Sequence, residues 1–600
     1  MEIIKKSSKS GVHSYIPELR EQYRTGNISR REFLRYATLL GMSVGAATVM
    51  AACTPAATPT AVPPTAVPPT EAPAAAAVVS PTVPSAAAAV VSQTVPSAGA
   101  TTAPAAAGAI TRGGTLTSAS LVQKVTHPAQ ISWVSPSNQL RQVAEYLTQT
   151  DKDNITHPLL LEKWSTSDDL KTWTLNLRQG IKFNNGDPFT ADDVVFTMGQ
   201  WFDKSVGSSI AGLLSFMDTT GIEKVDDHTI KLHLNTPDVG VPEYLFHYPA
   251  LILNSRTFQG DFIKAPHGTG PYTLESFTVG EHVSLKARKD YWQTGADGQP
   301  LPYLDGMEFI HMGEDTSAWI AALKGGQVDY LDIADNVGPD FYNGLKDDPN
   351  CVVQGLPTAV VRVLRMRVDL DPWKDNNVRQ ALKLCQNRQK ILSLAYFGEG
   401  VLGGDFHVYP GHPEYAPKPT PAYDPDKAKQ LLATAGYPNG LDVNLAVGSG
   451  WPDVVSYAQI LKEDAAPAGF RVNVTPMPTD QYWDKWTEVD LGITPWTHRP
   501  LGIMVLNLAY KADADGKPVP WNESRWVDDE FSKLLEQANA TLDVNQRRGI
   551  MAQLEQIQMD RGSIGISWWM DVWTCARKNV QAVLPHPTLY MLFNQVWKSA

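Results

Sequence analysis

The segment W164-S-T-S-D-D-L-K-T-W-T-L-N-L-R-Q-G-I-K-F-N-N-G-D-P-F-T-A-D-D-V-V-F196 holds two adjacent acidic pairs in a Trp- and Phe-rich setting. They serve either a reaction or a scaffold. Asp168-Asp169 precedes T172-W-T-L-N-L-R178, which alternates apolar and polar residues as a half-buried strand does, so these acids are turn formers that accept backbone N–H groups. Asn184-Asn185-Gly186 marks a second turn. At T190-A-D-D193, Thr190 stands as a helix N-cap with Asp193 reaching back from the third position, and the helix dipole favours both acids. Nothing nearby supplies the second member of a general acid/base couple, so the segment reads as scaffold. Asp226-Asp227 before H228-T-I-K-L-H-L234 repeats the design, and two hairpins built alike are expected.

Strands and helices alternate on both sides of this segment. G113-G-T-L-T-S-A-S-L reads as a strand. Helical periodicity predicts helices over Val378–Tyr396, Asp426–Gly436, Tyr457–Gly469 and Asp528–Asn539, with a strand from Phe470 directly after the helix-ending Gly469. The order predicts an α/β protein with mixed sheets. Six hundred residues exceed a single core, so several folded units are expected.

The N-terminus carries an address. S29-R-R-E-F-L-R35 places Arg30 and Arg31 before the uncharged run Tyr36–Met50 and the box M50-A-A-C53, an order that resembles a twin-arginine signal ending in a lipoprotein box. Residues 1–52 are then the signal, and Cys53 the acylated first residue. The run is shorter than the ~20 residues a membrane span needs. Residues 53–110 are almost entirely Ala, Pro, Thr, Val and Ser, with A-V-P-P-T twice in tandem and no capacity for a core. In a polyproline-like state this tether reaches on the order of 100 Å. With 51 basic and 63 acidic residues and a basic leader, the body is acidic, which excludes nucleic acid and anionic lipid as partners. Beyond Cys53, the cysteines Cys351, Cys385 and Cys575 are odd in number and unpaired in spacing, so neither a disulfide framework nor a thiolate metal site is expected, and Cys385 reads as core.

The opening segment is similar to the characteristic segment of the family 5 extracellular solute-binding proteins, the oligopeptide, dipeptide and nickel type that serve ABC importers. G268-T-G-P-Y272, R288-K-D-Y-W292, W319-I-A-A-L-K-G-G-Q-V-D-Y330, W373-K-D-N-N-V-R-Q-A381 and A428-K-Q-L-L-A-T-A-G-Y437 match in the same order. The resemblance covers roughly residues 113–600. It implies a two-lobe periplasmic-binding-protein fold of type II-like architecture, joined by two crossing segments, with a subdomain inserted in lobe one. The implied boundaries are 111–157, 250–357 and 562–600 for lobe one, 158–249 for the insertion, and 358–561 for lobe two.

Candidate site residues follow from loops and from departures from the family pattern. Trp133, Trp451 and Trp496 sit at Gly/Pro-rich strand ends, where an indole can stack on a ligand and donate one hydrogen bond. In peptide binders the segment resembling L491-G-I-T-P-W-T-H-R-P-L-G502 usually carries Gly-Asp where this chain has His498-Arg499 beside Thr497, so the acid that would hold a peptide ammonium is absent. Arg367 stands where the family commonly has Asn, with Arg365 two residues earlier on the same strand face. Cationic pocket residues favour an anionic ligand; paired with acids of the protein itself, they are structural. His407 and His412, with Glu414 nearby, have loose metal-ligand spacing, and the histidines read as solvent or pocket-rim residues; no metal or cofactor is expected.

The reading is a lipid-anchored binding protein, a monomer with no enzymatic activity, that delivers a small-molecule or peptide ligand to an ABC permease outside the cytoplasm. An exported hydrolase using acids such as Asp490 or Asp571, and a sensory binding protein docked to a membrane receptor, are the alternatives.

Overall fold

The computed structural model describes residues 110–599 apart from 132, 133, 209, 314, 335–337 and 514, and of Asp480 the backbone alone. The signal with Arg30 and Arg31, the acylation site Cys53, all but the last residue of the tether, and Trp133 lie outside the described residues. Among those described, no helix is long and apolar enough to cross a membrane.

Two long strands, Cys351–Met366 and Ile564–Arg577, form the spine of the molecule. They run antiparallel from Cys351 opposite Arg577 to Arg365 opposite Ile564, with register shifts between Pro357 and Val361 and again before Val363. Below the shift, Ile564–Arg577 continues the sheet through Tyr330–Leu331, Thr115–Ser120, Gly306–His311, His282–Ala287 and Tyr272–Thr278. Above it, Cys351–Met366 continues the sheet through Leu491–Trp496, Leu441–Gly448 and Phe470–Met477. Parallel and antiparallel pairs coexist in this sheet, as the α/β reading requires. The two ends therefore belong to two halves whose sheet continuity runs through the long pair alone.

The opening segment builds a separate antiparallel sheet. Leu161–Thr166 pairs with Thr172–Leu177, Ile222–Asp226 pairs with Thr229–His233, and the two hairpins join through Thr172–Leu177 and Thr229–His233. Asp169 holds the first turn, accepting from Ser167 Oγ at 2.6 Å and from Lys171 N at 3.1 Å. The helix Ala191–Phe202 starts with the expected reciprocal cap of Thr190 and Asp193. Asp193 does more than cap. Fully buried, it also accepts from the backbone and hydroxyl of Ser255 at 2.9 and 2.7 Å, tying this sheet to the chain that returns from it.

One helix expectation is corrected. The single pattern Val378–Tyr396 folds as two helices, Asn376–Leu384 and Arg388–Ala395, because Asn387 accepts the Lys390 N–H and starts a new helix where the pattern alone continues the old one. Cys385 ends the first helix, buried, with its thiol on Ala381 O. The core beneath both halves is aromatic: Trp568, Trp569 and Trp573 on one long strand are all fully buried.

Candidate functional site

The strand Leu491–Trp496 ends where the sheet does, and Thr497-His498-Arg499-Pro500 crosses the top before the helix Gly502–Ala509 begins. This turn forms one wall of a cleft of about 710 Å³, counting the space open to solvent. The opposite wall comes from three segments of the other half, Thr150–Asn154, Glu243–Tyr248 and His586–Tyr590, and Val360 of the long strand closes the floor. The cleft thus lies over the register shift that joins the halves.

His498 anchors this arrangement. Its Nδ1 accepts the Ala359 N–H at 3.0 Å, which leaves the proton on Nε2, and Nε2 donates to Asn154 Oδ1 at 2.8 Å. Asn154 donates onward to Gly411 O at 3.2 Å. Its φ of 61° lies in the left-handed region that asparagine tolerates better than most residues. His586 and His412 share the tautomer: each Nδ1 accepts a backbone N–H, from Thr588 and Tyr409, and each Nε2 donates to a carbonyl, of Thr150 and Arg499. Burial holds all three neutral, lowering His586 and His412 to about 4 and His498 well below the usual imidazole range.

Arg499 is the unbalanced group. It is 5% exposed, and its Nη1 donates to Thr497 Oγ1 at 2.5 Å and to His498 O at 2.9 Å. Its Nε has no partner, and it forms no ion pair among the described residues. The acids on the cleft walls do not serve it. Asp151 is turned to His157 Nε2 at 2.9 Å and to turn amides, and burial pushes Glu243 up to about 7. An uncompensated buried guanidinium beside a cleft is a ready anion site, since it cannot shed its proton.

Of the sequence candidates, Thr497, His498 and Arg499 line this cleft. The others stand apart from it. Arg365, fully buried, donates to Glu523 Oε2 at 3.0 Å and to the carbonyls of Trp486 and Val489. Arg367 grips Asp369 through two bonds of 2.8 and 2.6 Å and reaches the Thr487 and Glu488 carbonyls. Trp496 points its indole N–H at Glu523 Oε1, 2.9 Å away. Trp451, half-buried, caps the helix Pro452–Ala465 and packs edge-on against Tyr482 and Trp483. The expectation of solvent or rim histidines is corrected: His407, His412 and Glu414 are buried, with His407 on Tyr510 Oη at 2.8 Å and Glu414 accepting from Ile503 N. His412 and Glu414 are drawn inward by backbone groups and His407 by the Tyr510 hydroxyl, partners that sequence spacing does not reveal. Among the described residues no group of His, Cys, Asp and Glu is placed to hold a metal.

Sequence reasoning missed the cleft-wall residues Asn154, His586 and Tyr590, which come together through contacts far apart in the chain.

Residues 156–509 match the family model described as bacterial extracellular solute-binding proteins, family 5 middle. The chain is 29% identical over 444 residues to di/tripeptide-binding protein 1 of Pseudomonas aeruginosa, covering 67% of this chain and 78% of that one. Among solved structures it resembles the periplasmic binding protein DppA of Helicobacter pylori in complex with the peptide STSA, with a TM-score of 0.68 at 21% identity over 82% of this chain and 99% of that one. It resembles AgaA of A. tumefaciens R10, bound to agropinic acid, with a TM-score of 0.67 at 23% identity over 81% and 99%.

Proposed function

This chain belongs to the bacterial extracellular solute-binding proteins of family 5, and from that premise we propose that it is a lipid-anchored binding protein that captures a small anionic solute and delivers it to an ABC permease. The proposed lobes are 111–157 with 250–357 and 562–600, and 358–561, with 158–249 inserted in the first. The passage of the sheet from one half to the other through the two long strands supports two lobes, while the pairing of Ile564–Met570 with Val361–Arg365 and Gly400–Leu402 puts the second crossing nearer Met570 than Gly562. Closure is then a shift between open and closed states, driven by the ligand's greater affinity for the closed one. The relatives named above take di- and tripeptides in one case and agropinic acid in another, so the family relationship leaves the ligand class open. The observation that carries the anionic reading is Arg499, buried on the cleft wall with an unpartnered Nε.

Native mass spectrometry of the protein purified without added ligand tests it. A co-purifying acid is expected, and Arg499→Ala should weaken its binding by about 2 to 5 kcal/mol, roughly thirty-fold or more. A neutral solute, or an effect within about three-fold, removes the anionic part and leaves the binding protein standing. If no solute co-purifies, and no peptide or organic acid raises the melting temperature, the binding reading falls.

A further inference from the structure

Arg499 is not the one buried guanidinium left without an acid beside this cleft. Arg141 follows the helix Val134–Leu140 and is 5% exposed. Its Nη2 donates to Ser137 Oγ at 2.6 Å, while Nε and Nη1 have no partner. Its guanidinium carbon lies 3.6 Å from the ring centroid of Tyr590, a cleft-wall residue, so cation–π attraction offsets part of its burial. Arg141 borders a second cavity of about 400 Å³, counting open space, and Phe246 lines both cavities. The acid nearest in that second wall is committed elsewhere: Glu145 accepts from Tyr291 Oη at 2.6 Å and from Trp292 Nε1 at 3.0 Å. Like Arg499, Arg141 forms no ion pair among the described residues.

The two charges act on shared groups. Burial first, then Arg499 and Arg141, hold His247 on the cleft wall well below the usual imidazole range, so this neighbour adds no cation of its own. Two permanent cations with unpartnered N–H donors, Arg499 on the cleft and Arg141 against the cleft-wall Tyr590, are poorly balanced by the protein.

We infer that Arg141 is a second anion anchor, and that the captured solute carries two acidic groups held apart, one at Arg499 and one at Arg141, with its body along Phe246 and Tyr590. This rests on the binding-protein reading above and names the substrate class of that same site. A single acid satisfies Arg499 and leaves Arg141 uncompensated. A diacid satisfies both, and its amide analogue loses the second charge-assisted pair.

Straight-chain dicarboxylates from succinate to suberate, and their monoamides, titrated calorimetrically into the purified protein, test this. At least one diacid should bind on the order of thirty-fold more tightly than its monoamide. Arg141→Gln should bring that ratio under about three, and Arg141→Lys, which keeps the charge but loses the planar stacked fork, should give a ratio between that of Arg141→Gln and the wild type. A diacid no better than its monoamide, a preference that survives Arg141→Gln, or no binding across the series overturns the inference. Fragmentation of the solute that co-purifies with the wild-type protein needs no variant to fold: two acidic groups support the second anchor. One acidic group, or none, overturns it while leaving the binding protein intact.

Discussion

The Nε2 of His498 donates to Oδ1 of Asn154 across the cleft at 2.8 Å, and both partners are held from behind, His498 by the Ala359 N–H and Asn154 by Gly411 O. Ala359 lies within the register shift of the two long strands, where Thr358 Oγ1 donates to Met570 O at 2.8 Å. One histidine therefore ties the point where the strands pass between the halves to the facing wall.

The tie can be cut without backbone strain. Asn154→Gly keeps a residue able to adopt a φ of 61° but removes the acceptor, leaving a buried His498 N–H unpaired at a cost of about 1 to 3 kcal/mol. We expect a lower melting temperature, a larger radius of gyration by small-angle scattering in the absence of ligand, and weaker ligand binding, because a hydrogen bond between the facing walls is lost. Unchanged scattering and affinity would show that this hydrogen bond does not favour closure.

Export is predicted from the leader. Cys53→Ala should release the mature protein from the membrane fraction, and Arg30→Lys with Arg31→Lys should leave precursor in the cytoplasm. Retention of Cys53→Ala on the membrane after export contradicts acylation, and unaffected export of the double lysine variant points to the general secretory route.

What was legible in the sequence was what local chemistry decides. The hairpin around Asp169 and the cap at Thr190 need partners within a few residues, so alternation and spacing reveal them. The break at Asn387 is equally local, but the apolar periodicity runs on through it and masks it. Arg365 and Arg499 show the limit. Both are arginines near strand ends, yet Arg365 is satisfied by Glu523, 158 residues away in the chain, while Arg499 is left without an acid. Which arginine is spent internally is fixed by long-range packing. The departure from the family pattern at His498-Arg499 marks a change of charge at a place the fold puts on the cleft.

Glu523 is expected to be the costliest carboxylate to remove. It accepts from Arg365 Nε, Trp496 Nε1 and Thr494 Oγ1, the last at 2.5 Å, all within the core. Burial, its largest influence, pushes its carboxyl up, and the Arg365 guanidinium pulls it back. Glu523→Gln strands a buried guanidinium and should destabilise by about 3 to 5 kcal/mol in chemical unfolding, with a change in tryptophan emission from Trp496. Because Arg365 lies outside the cleft, ligand affinity of the folded fraction should stay within about three-fold. A large affinity loss with little destabilisation would move this pair into the ligand site.

Stability should fall as pH rises from about 6.5 to 8, and the sign follows from which state holds the protons. Burial lifts Glu555 to about 8 and Asp238 and Glu243 to about 7, so in this window the folded state keeps carboxyl protons that the unfolded chain has released. Each such group costs on the order of 1 kcal/mol per pH unit until its folded-state value is passed. The buried histidines work in the opposite direction, but only lower down. His407 is lowered to about 3 and His412 and His586 to about 4, so the unfolded chain takes up their protons below its own imidazole range, and stability falls again in acid. A maximum near the usual imidazole value results, with a carboxylate limb above it. Glu555 is the group to test, since its Oε1 accepts the Ala416 N–H at 3.1 Å and its Oε2 has no partner. Glu555→Gln retains the acceptor, removes the titration, and should flatten the slope between pH 6.5 and 8 by about 1 kcal/mol per pH unit in denaturant unfolding. An unchanged slope in that variant would mean that Glu555 is already ionised in the fold.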